Sequence, residues 1–493
     1  MPICTRVLVS FALAFGLLSN LPAQTAPARS AGPCPTANST NQSITLSKDL
    51  VCTVPQVYGA GGLVGTPNNG PLASTVPFSH AAHFQNSSVA ALGPLNSEIG
   101  TEISQLPIAA PAAGFVFTFN PSLGVVSRQV QNFGPILSDR AQTIGRHRLS
   151  LGVSYQYFDF DKIGAVNLRN FGAVFHHETG DAAGVCAAQP AFTGCASQPV
   201  FENDFITATN DIGLTVNQVT ATADFGISKR FDVGVAIPVL SVHMRVSSYA
   251  LVNSYESSST TPPCCLHTFV SPAAVPGESV YGPDRASFLR QNAASGIGDV
   301  VFRAKYEVVA GERAALATGV DVHTPTGDAY NFLGAGTWGT RPFLIFSYAG
   351  RVAPHANIGY QINGNSILGG DITTFTKAHL PNILNYSFGF DAGLSSGVSV
   401  AFDYLGQTLF NERGAVATTY TAATPCSICS TPSVSTTPNI TSISENIDQS
   451  SISLGGKVNP VGRLLVVANI LVRVNHAGLH YKPSPMIGLS YSF

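Results

Sequence analysis

Few residues in this 493-residue chain stand at spacings that could do chemistry. His176-His177-Glu178 gathers three side chains of the kind that ligate zinc. A zinc site needs further ligands at fixed spacing, and none follows, so the run reads as a polar loop apex. Cys426-Ser427-Ile428-Cys429 has the spacing of a dithiol redox pair. No βαβ pattern surrounds it, and a loop disulfide is expected instead. Gly334-Ala335-Gly336 follows Leu333 with neither a lysine nor a helix behind it, which argues against a phosphate cradle. Acyl hydrolysis would need a serine and a histidine aimed together. No Gly-x-Ser-x-Gly turn occurs, and His323 and His355 fall in alternating stretches that suit a wet wall. No catalytic residue, metal or cofactor is expected.

What remains is charge placed at every second position. Asp299, Arg303, Lys305 and Glu307 share one face of a strand, and Val300, Phe302, Ala304, Tyr306 and Val308 share the other. Elsewhere the same alternation puts Arg148, His243, Arg245, Asp321, His323, Asp391, Asp403 and Arg473 on polar faces. Both signs occur, as expected of a wet lumen wall whose side chains pair with one another. Val301, Leu405, Leu465, Val467 and Leu471 interrupt that wall and predict a greasy patch, which a site for an apolar solute requires.

The elements that carry these residues follow from composition. Only 11% of the residues are charged, against 45% hydrophobic, with 47 glycines and 32 prolines. Ordinary globular chains carry about 25% charged residues. Beyond the N-terminal leader no segment approaches the ~20 continuous apolar residues of a membrane helix. Few charges without apolar helices points to a transmembrane antiparallel up-and-down β-barrel, because only helices and closed barrels satisfy their backbone in lipid. The formal net charge of -2 leaves no basic patch for nucleic acid.

Turn lengths support the barrel. Strand pairs 212–227/231–246, 297–309/314–325, 340–348/355–363, 384–394/398–407 and 450–459/463–474 are joined by short turns. Long connections lie between them, at 160–211, 247–296, 326–339, 364–383, 408–449 and 475–483. Short turns at one end and long loops at the other are the habit of outer-membrane barrels. With 147–159 and 484–493 the strands number twelve, and a hairpin of Gly114–Phe119 with Gly124–Val130 would make about fourteen, the preferred count. Val233, Val235, Ile237 and Val239 share a face, after which Leu240, Val242, Met244 and Val246 take over, which predicts a β-bulge beside Pro238. Ile487, Leu489, Tyr491 and Phe493 alternate to the last residue. This ending resembles the carboxy-terminal signal read by the barrel-assembly machinery.

Residues 1–23 read as a cleaved signal peptide, with Arg6 before the apolar run Val7–Leu21 and a small-residue site at Leu21-Pro22-Ala23. Residues 24–110 form a low-complexity, plug-like segment with one short helix, on which Leu92, Leu95, Ile99, Ile103 and Leu106 recur at helical spacing and Glu98 and Glu102 take another face. Residues 111–493 form the barrel. Once Cys4 leaves with the signal, the cysteines fall in neighbouring pairs, Cys34 and Cys52, Cys186 and Cys195, Cys264 and Cys265, Cys426 and Cys429. Local loop disulfides are expected in an oxidising compartment.

The run Gly298-Asp299-Val300-Val301-Phe302-Arg303-Ala304-Lys305-Tyr306, followed by Asp321-Val322-His323-Thr324-Pro325-Thr326-Gly327-Asp328, Arg341-Pro342-Phe343-Leu344-Ile345 and Pro354-His355-Ala356-Asn357-Ile358-Gly359-Tyr360, resembles the outer-membrane transporter-like family named for the MetA pathway of phenol degradation. That family looks related to barrels importing long-chain fatty acids and aromatic hydrocarbons. The resemblance is strongest over 296–365 and looser over 114–160. It implies an outer-membrane channel that passes small hydrophobic or aromatic compounds, with membrane lipid, the assembly machinery and those solutes as partners. Two other readings stand beside it. One is a structural or adhesive barrel acting through its long loops, and the other is an outer-membrane lipase.

Overall fold

Runs that alternate apolar and polar residues become strands, and neighbouring strands here pair until the sheet meets itself. The computed structural model describes residues 34, 46–59, 62–63, 84–108, 117–120, 125–128, 132–177, 204–253, 269, 278–282, 284–311, 313–371, 376–424 and 433–493. Twelve strands form a closed antiparallel barrel: β1 (Leu149–Ile163), β2 (Phe205–Gly226), β3 (Phe231–Asn253), β4 (Val301–Ala310), β5 (Ala314–His323), β6 (Gly339–Tyr348), β7 (Val352–Asn363), β8 (Asn382–Ser395), β9 (Val398–Thr424), β10 (Ser433–Val461), β11 (Leu464–Arg473) and β12 (Ser484–Ser492). The final strand closes on the first, with Met486 opposite Gln156 and Ser492 opposite Ser150. Closure leaves no edge to satisfy in lipid.

These are the twelve strands that the alternation predicts. The hairpin of the preferred count of fourteen does not join them. Phe117–Asn120 and Val125–Arg128 pair only with each other. Four residues fall well short of the roughly 9–11 that a tilted span needs.

The outer face is apolar. Phe302, Tyr306, Leu344, Ile358, Phe388 and Leu454 are each about half exposed, as are Ile487, Leu489, Tyr491 and Phe493 at the carboxy end. Inward neighbours such as Lys305, Glu307 and Asp321 are buried. Phe302→Arg is therefore expected to destabilise the barrel by on the order of 2–4 kcal/mol, the midplane cost of a lipid-facing cation. Denaturant unfolding in lipid vesicles measures this, and a cost below about 1 kcal/mol would move Phe302 to the membrane interface.

The bulge expected beside Pro238 is absent. β2 and β3 pair without a register shift from Gly226–Asp232 to Phe205–Asn253, through Thr220–Pro238. The side-chain phase is constant, and its surroundings change. Val233, Val235, Ile237 and Val239 face outward, and the same face continues as Ser241, His243, Arg245 and Ser247. The inward face becomes Leu240, Val242, Met244 and Val246, all buried. The strand has risen out of the lipid band, so polar groups meet water outside and apolar groups meet packing inside. Pro238 lies where the other edge of β3 exchanges partners, from Ala236–Val301 to Val239–Ile297. Its missing N–H falls in that gap, where its carbonyl accepts from Gly298 at 2.8 Å.

The connection expected over 408–449 is mostly strand, since β9 and β10 stay paired out to Thr424–Ser433. Of the cysteine pairs, Cys34–Cys52 is a disulfide. The other three pairs and the signal peptide lie outside the described residues.

Candidate functional site

The upper half of the barrel is filled. Helix α1 (Gln85–Ile103) buries Leu92, Leu95, Ile99 and Ile103 in one core with Phe158 and Phe160 of β1, Ile212 and Leu214 of β2, Val242 and Met244 of β3 and Leu471 of β11. Contact with strands around the ring places the helix inside. Its acidic face also finds no water, and Glu98 and Glu102 are buried. The Glu98 carboxylate accepts from the Ala415 amide at 3.0 Å. Both Glu102 oxygens accept from the Leu479 amide at 2.8 Å, and Arg473 stands 3.8 Å away.

Residues preceding the helix pack beside it. The Tyr58 hydroxyl meets Asn210 at 3.0 Å and Ser248 at 2.7 Å, and its ring sits edge-on against Phe175 and Phe288. Asn96 donates to the Val51 carbonyl at 2.9 Å. The 326–339 connection also folds inward. Asp299 accepts from the Gly327 amide at 2.9 Å and the Ala335 amide at 2.6 Å, and Phe332 is fully buried. A Cβ at Gly100 would lie 2.8 Å from the Phe332 ring, so only glycine allows this helix and loop to approach so closely.

A second closure spans the short-turn end. Residues 132–146, just before β1, cross the barrel as an extended strap with few contacts among themselves. Its polar groups are met by the wall. Lys457 donates to the carbonyls of Phe133 at 3.1 Å and Pro135 at 2.6 Å. The Ser138 hydroxyl donates to Ser387, and Ser347 accepts from the Ala141 amide. Lys305 donates to the Arg140 and Gln142 carbonyls at 3.0 and 3.2 Å, and Asp232 accepts from the Ile144 amide at 2.9 Å. Asp139 pairs with Arg303 at 2.6 Å and lies 3.6 Å from Lys305. Charged donors can hold bare backbone because such bonds are roughly twice as strong as neutral ones.

The expected lumen residues divide by these closures. Arg303, Lys305, Asp321, Asp391 and Asp403 lie in the lower network. Asp321 is fully buried between Arg303 at 2.7 Å and Arg341 at 2.6 Å. Asp391 and Asp403 flank His355 at 3.5 and 2.6 Å. Glu307 is buried nearby, Asp299 holds the inward loop, and Arg473 serves the helix. Arg148 stands before β1, partly exposed. His243 and Arg245 are corrections. They lie on the exposed outer face of β3, because no bulge turns them inward, and Arg245 reaches Asp211 at 3.9 Å there. His176 packs against Tyr420 and His177 against Phe84, so these two histidines are not a free loop apex; Glu178 lies outside the described residues. No group of three metal-ligating side chains occurs among the described residues.

Sequence reasoning missed the strap and its anchors Asp232, Ser347, Ser387 and Lys457. Lys457 was findable as a lone cation in the alternating stretch of β10. The strap has no periodicity to betray it.

Between plug and strap lies a cavity of about 290 Å³. Val301, Leu240, Leu333, Phe343, Leu405 and Leu471 give it apolar wall, and Gln218, Gln361, Asn357, Asn385 and His323 give it polar wall. Asn357 Oδ1, Asn385 Nδ2 and His323 Nε2 have no hydrogen-bond partner among the described residues.

Residues 192–419 match the model of the family described as "Putative MetA-pathway of phenol degradation". The run at 296–365 that carries the sequence resemblance lies inside this match. A search of curated proteins finds no match. Among solved structures, the chain is similar to the COG4313 outer membrane channel from Pseudomonas putida F1, with 10% identity over 72% of this chain and 98% of that one, TM-score 0.40. It is also similar to a Pseudomonas aeruginosa FadL homologue, with 11% identity over 78% of this chain and 96% of that one, TM-score 0.29. A third is the TodX deltaS2S3 mutant monoaromatic hydrocarbon channel, with 10% identity over 71% and 90%, TM-score 0.29.

Proposed function

We propose, from the family match and the half-filled lumen, that this barrel sits in an outer membrane and admits small hydrophobic or aromatic compounds without an energy source. The observation that carries the reading is the cavity of mixed character between plug and strap. A general porin keeps an open aqueous path, and a purely structural barrel has no use for a shaped void. A pocket with mainly apolar walls, interrupted by a few unpartnered polar atoms and by charged groups such as Arg303, Arg341 and Arg473, suits a small ring bearing one or two polar groups. On this reading the signal peptide directs export. The exposed stripe Ile487, Leu489, Tyr491 and Phe493 then supplies what the assembly machinery recognises.

Filling the cavity tests the proposal. Leu405→Trp adds bulk inside the cavity and leaves the outer face unchanged, although Leu405 stands opposite the strap anchor Ser387. Whole cells carrying the wild-type barrel should take up a labelled apolar aromatic faster than cells lacking it, and Leu405→Trp should remove most of that gain. Equal uptake by the three strains, with folded barrel present in equal amounts, would sink the reading.

A further inference from the structure

Above the lipid band β9 and β10 leave the wall together. β8 accompanies β9 only to Phe410, and β11 accompanies β10 only from Ser451. Beyond those points residues 412–424 and 433–445 pair with each other as a two-stranded ribbon. The departure is a β-bulge between Leu409 and Glu412, where Asn411 holds a φ of 57° and its amide donates to Asn446 at 2.9 Å. Bulges bend a ribbon, and a left-handed residue other than glycine marks a specified bend.

The bent ribbon lies over α1 and reaches the far side of the mouth. There Asn439 accepts from the Val174 amide at 2.9 Å, and Tyr420 packs edge-on against His176 and Phe205. The ribbon is also held to the helix by the bond from the Ala415 amide to Glu98 and by burial of Ala415 and Ile440 in the core that contains Leu95 and Ile99. The seam between ribbon and helix is thus acidic on both sides. Glu98, Glu102 and Glu412 are each at most 5% exposed. Glu412 Oε2 has no partner among the described residues.

The charged and titratable groups facing this seam are Arg473, 3.8 Å from Glu102, with Glu445 acting on Glu98 and Tyr481 near Glu102. Three buried carboxyl groups face one guanidinium. Burial raises the Glu98 carboxyl well above the usual range, and the charges of Glu102 and Glu445 add to this against the Ala415 bond. Burial also raises Glu102, opposed by Arg473, the Leu479 amide and Gln449.

We propose that the ribbon and α1 form a proton-sensitive lid over the long-loop mouth, held while the seam carboxyl groups keep their protons and loosened as they ionise. The closed seam binds more protons than an opened one, in which the same groups return to water and to ordinary acidity. Closure is therefore complete at acid pH and weakens as pH rises above the ordinary carboxylate range. The lid's part in uptake rests on the channel reading, but its motion does not.

Hydrogen exchange of residues 412–424 in lipid-embedded protein, corrected for the chemical pH dependence of exchange, reads the motion directly. Opening should rise about tenfold per pH unit for each proton released as pH climbs above the ordinary carboxylate range. The paired change Glu98→Gln with Glu412→Gln should flatten the slope. A flat wild-type profile overturns the proposal without any variant, and so does an equal slope in the variant. Failed uptake with the expected profile would count against the channel and leave the lid standing. A flat profile with normal uptake would do the reverse.

Discussion

Asp321→Ala is expected to destabilise the barrel by about 3–5 kcal/mol, the range for removing one partner of a buried ion pair. The Asp321 carboxylate is fully buried; Arg303 donates to both of its oxygens, and Arg341 donates to Oδ2 as well. Removing the carboxylate leaves two guanidinium groups facing each other, with Asp139 the one carboxylate still ion-paired to Arg303 among the described residues. Arg303→Ala should also be costly. It takes the bidentate partner from Asp321, leaving Arg341, and the nearest cation from Asp139, leaving Lys305 at 3.6 Å, although alternation alone would treat it as a mild change on a wet wall. Asp211→Ala is the comparison. Its carboxylate also meets two arginines, Arg169 at 3.7 Å and Arg245 at 3.9 Å, but on the outer face and 39% exposed. Solvent screening limits that loss to about 1 kcal/mol or less. Guanidinium unfolding in lipid vesicles gives both values. Similar costs for Asp321→Ala and Asp211→Ala would mean that water reaches Asp321 freely and that the lower network is not the closed structure described.

Strand identity was legible because lipid enforces it. Phe302, Tyr306 and Val308 must face outward, so Lys305 and Glu307 must face in, and period two survives in the text. The same rule misled above the lipid. Leu240, Val242 and Met244 read as lipid-facing, yet they are core residues packed near the plug, and His243 and Arg245 were turned the wrong way as a result. Apolar alternation reports burial without saying whether lipid or protein does the burying. The 408–449 segment carries too many serines and threonines to look like strand, and its pairing comes from its partner across the ribbon, as in Thr418–Asn439. The strap was illegible for a further reason. Phe133, Pro135 and Asp139 have no regular period, and what holds them is a set of wall residues hundreds of positions away, such as Lys457 and Lys305. The helix was legible through Leu92, Leu95, Ile99 and Ile103. That Glu98 and Glu102 are buried was not, because their covers come from β9 and from Leu479 near the carboxy end.

Removing residues 30–108 behind an intact signal should raise conductance only slightly, whereas removing residues 30–146 should open the barrel to small ions and sugars. The first deletion takes the plug and leaves the strap. The second takes both. The two closures lie in series, so the tighter one that remains sets the flow. Strap and wall do not depend on the helix for their bonds, since Lys305, Lys457, Ser347, Ser387 and Asp232 all belong to barrel strands. The wall itself begins at β1 and closes on β12 without any residue before Leu149, so both truncated barrels should assemble. The upper interior will suffer more than the lower, because Leu214, Val242 and Met244 lose their cover when α1 goes. Exposure of that apolar surface should appear as dye binding in both deletions alike, while conductance in planar bilayers separates them. Full conductance in the shorter deletion would show that the strap yields once the plug is gone, and would leave α1 and its overlying ribbon as the only barrier a solute has to pass.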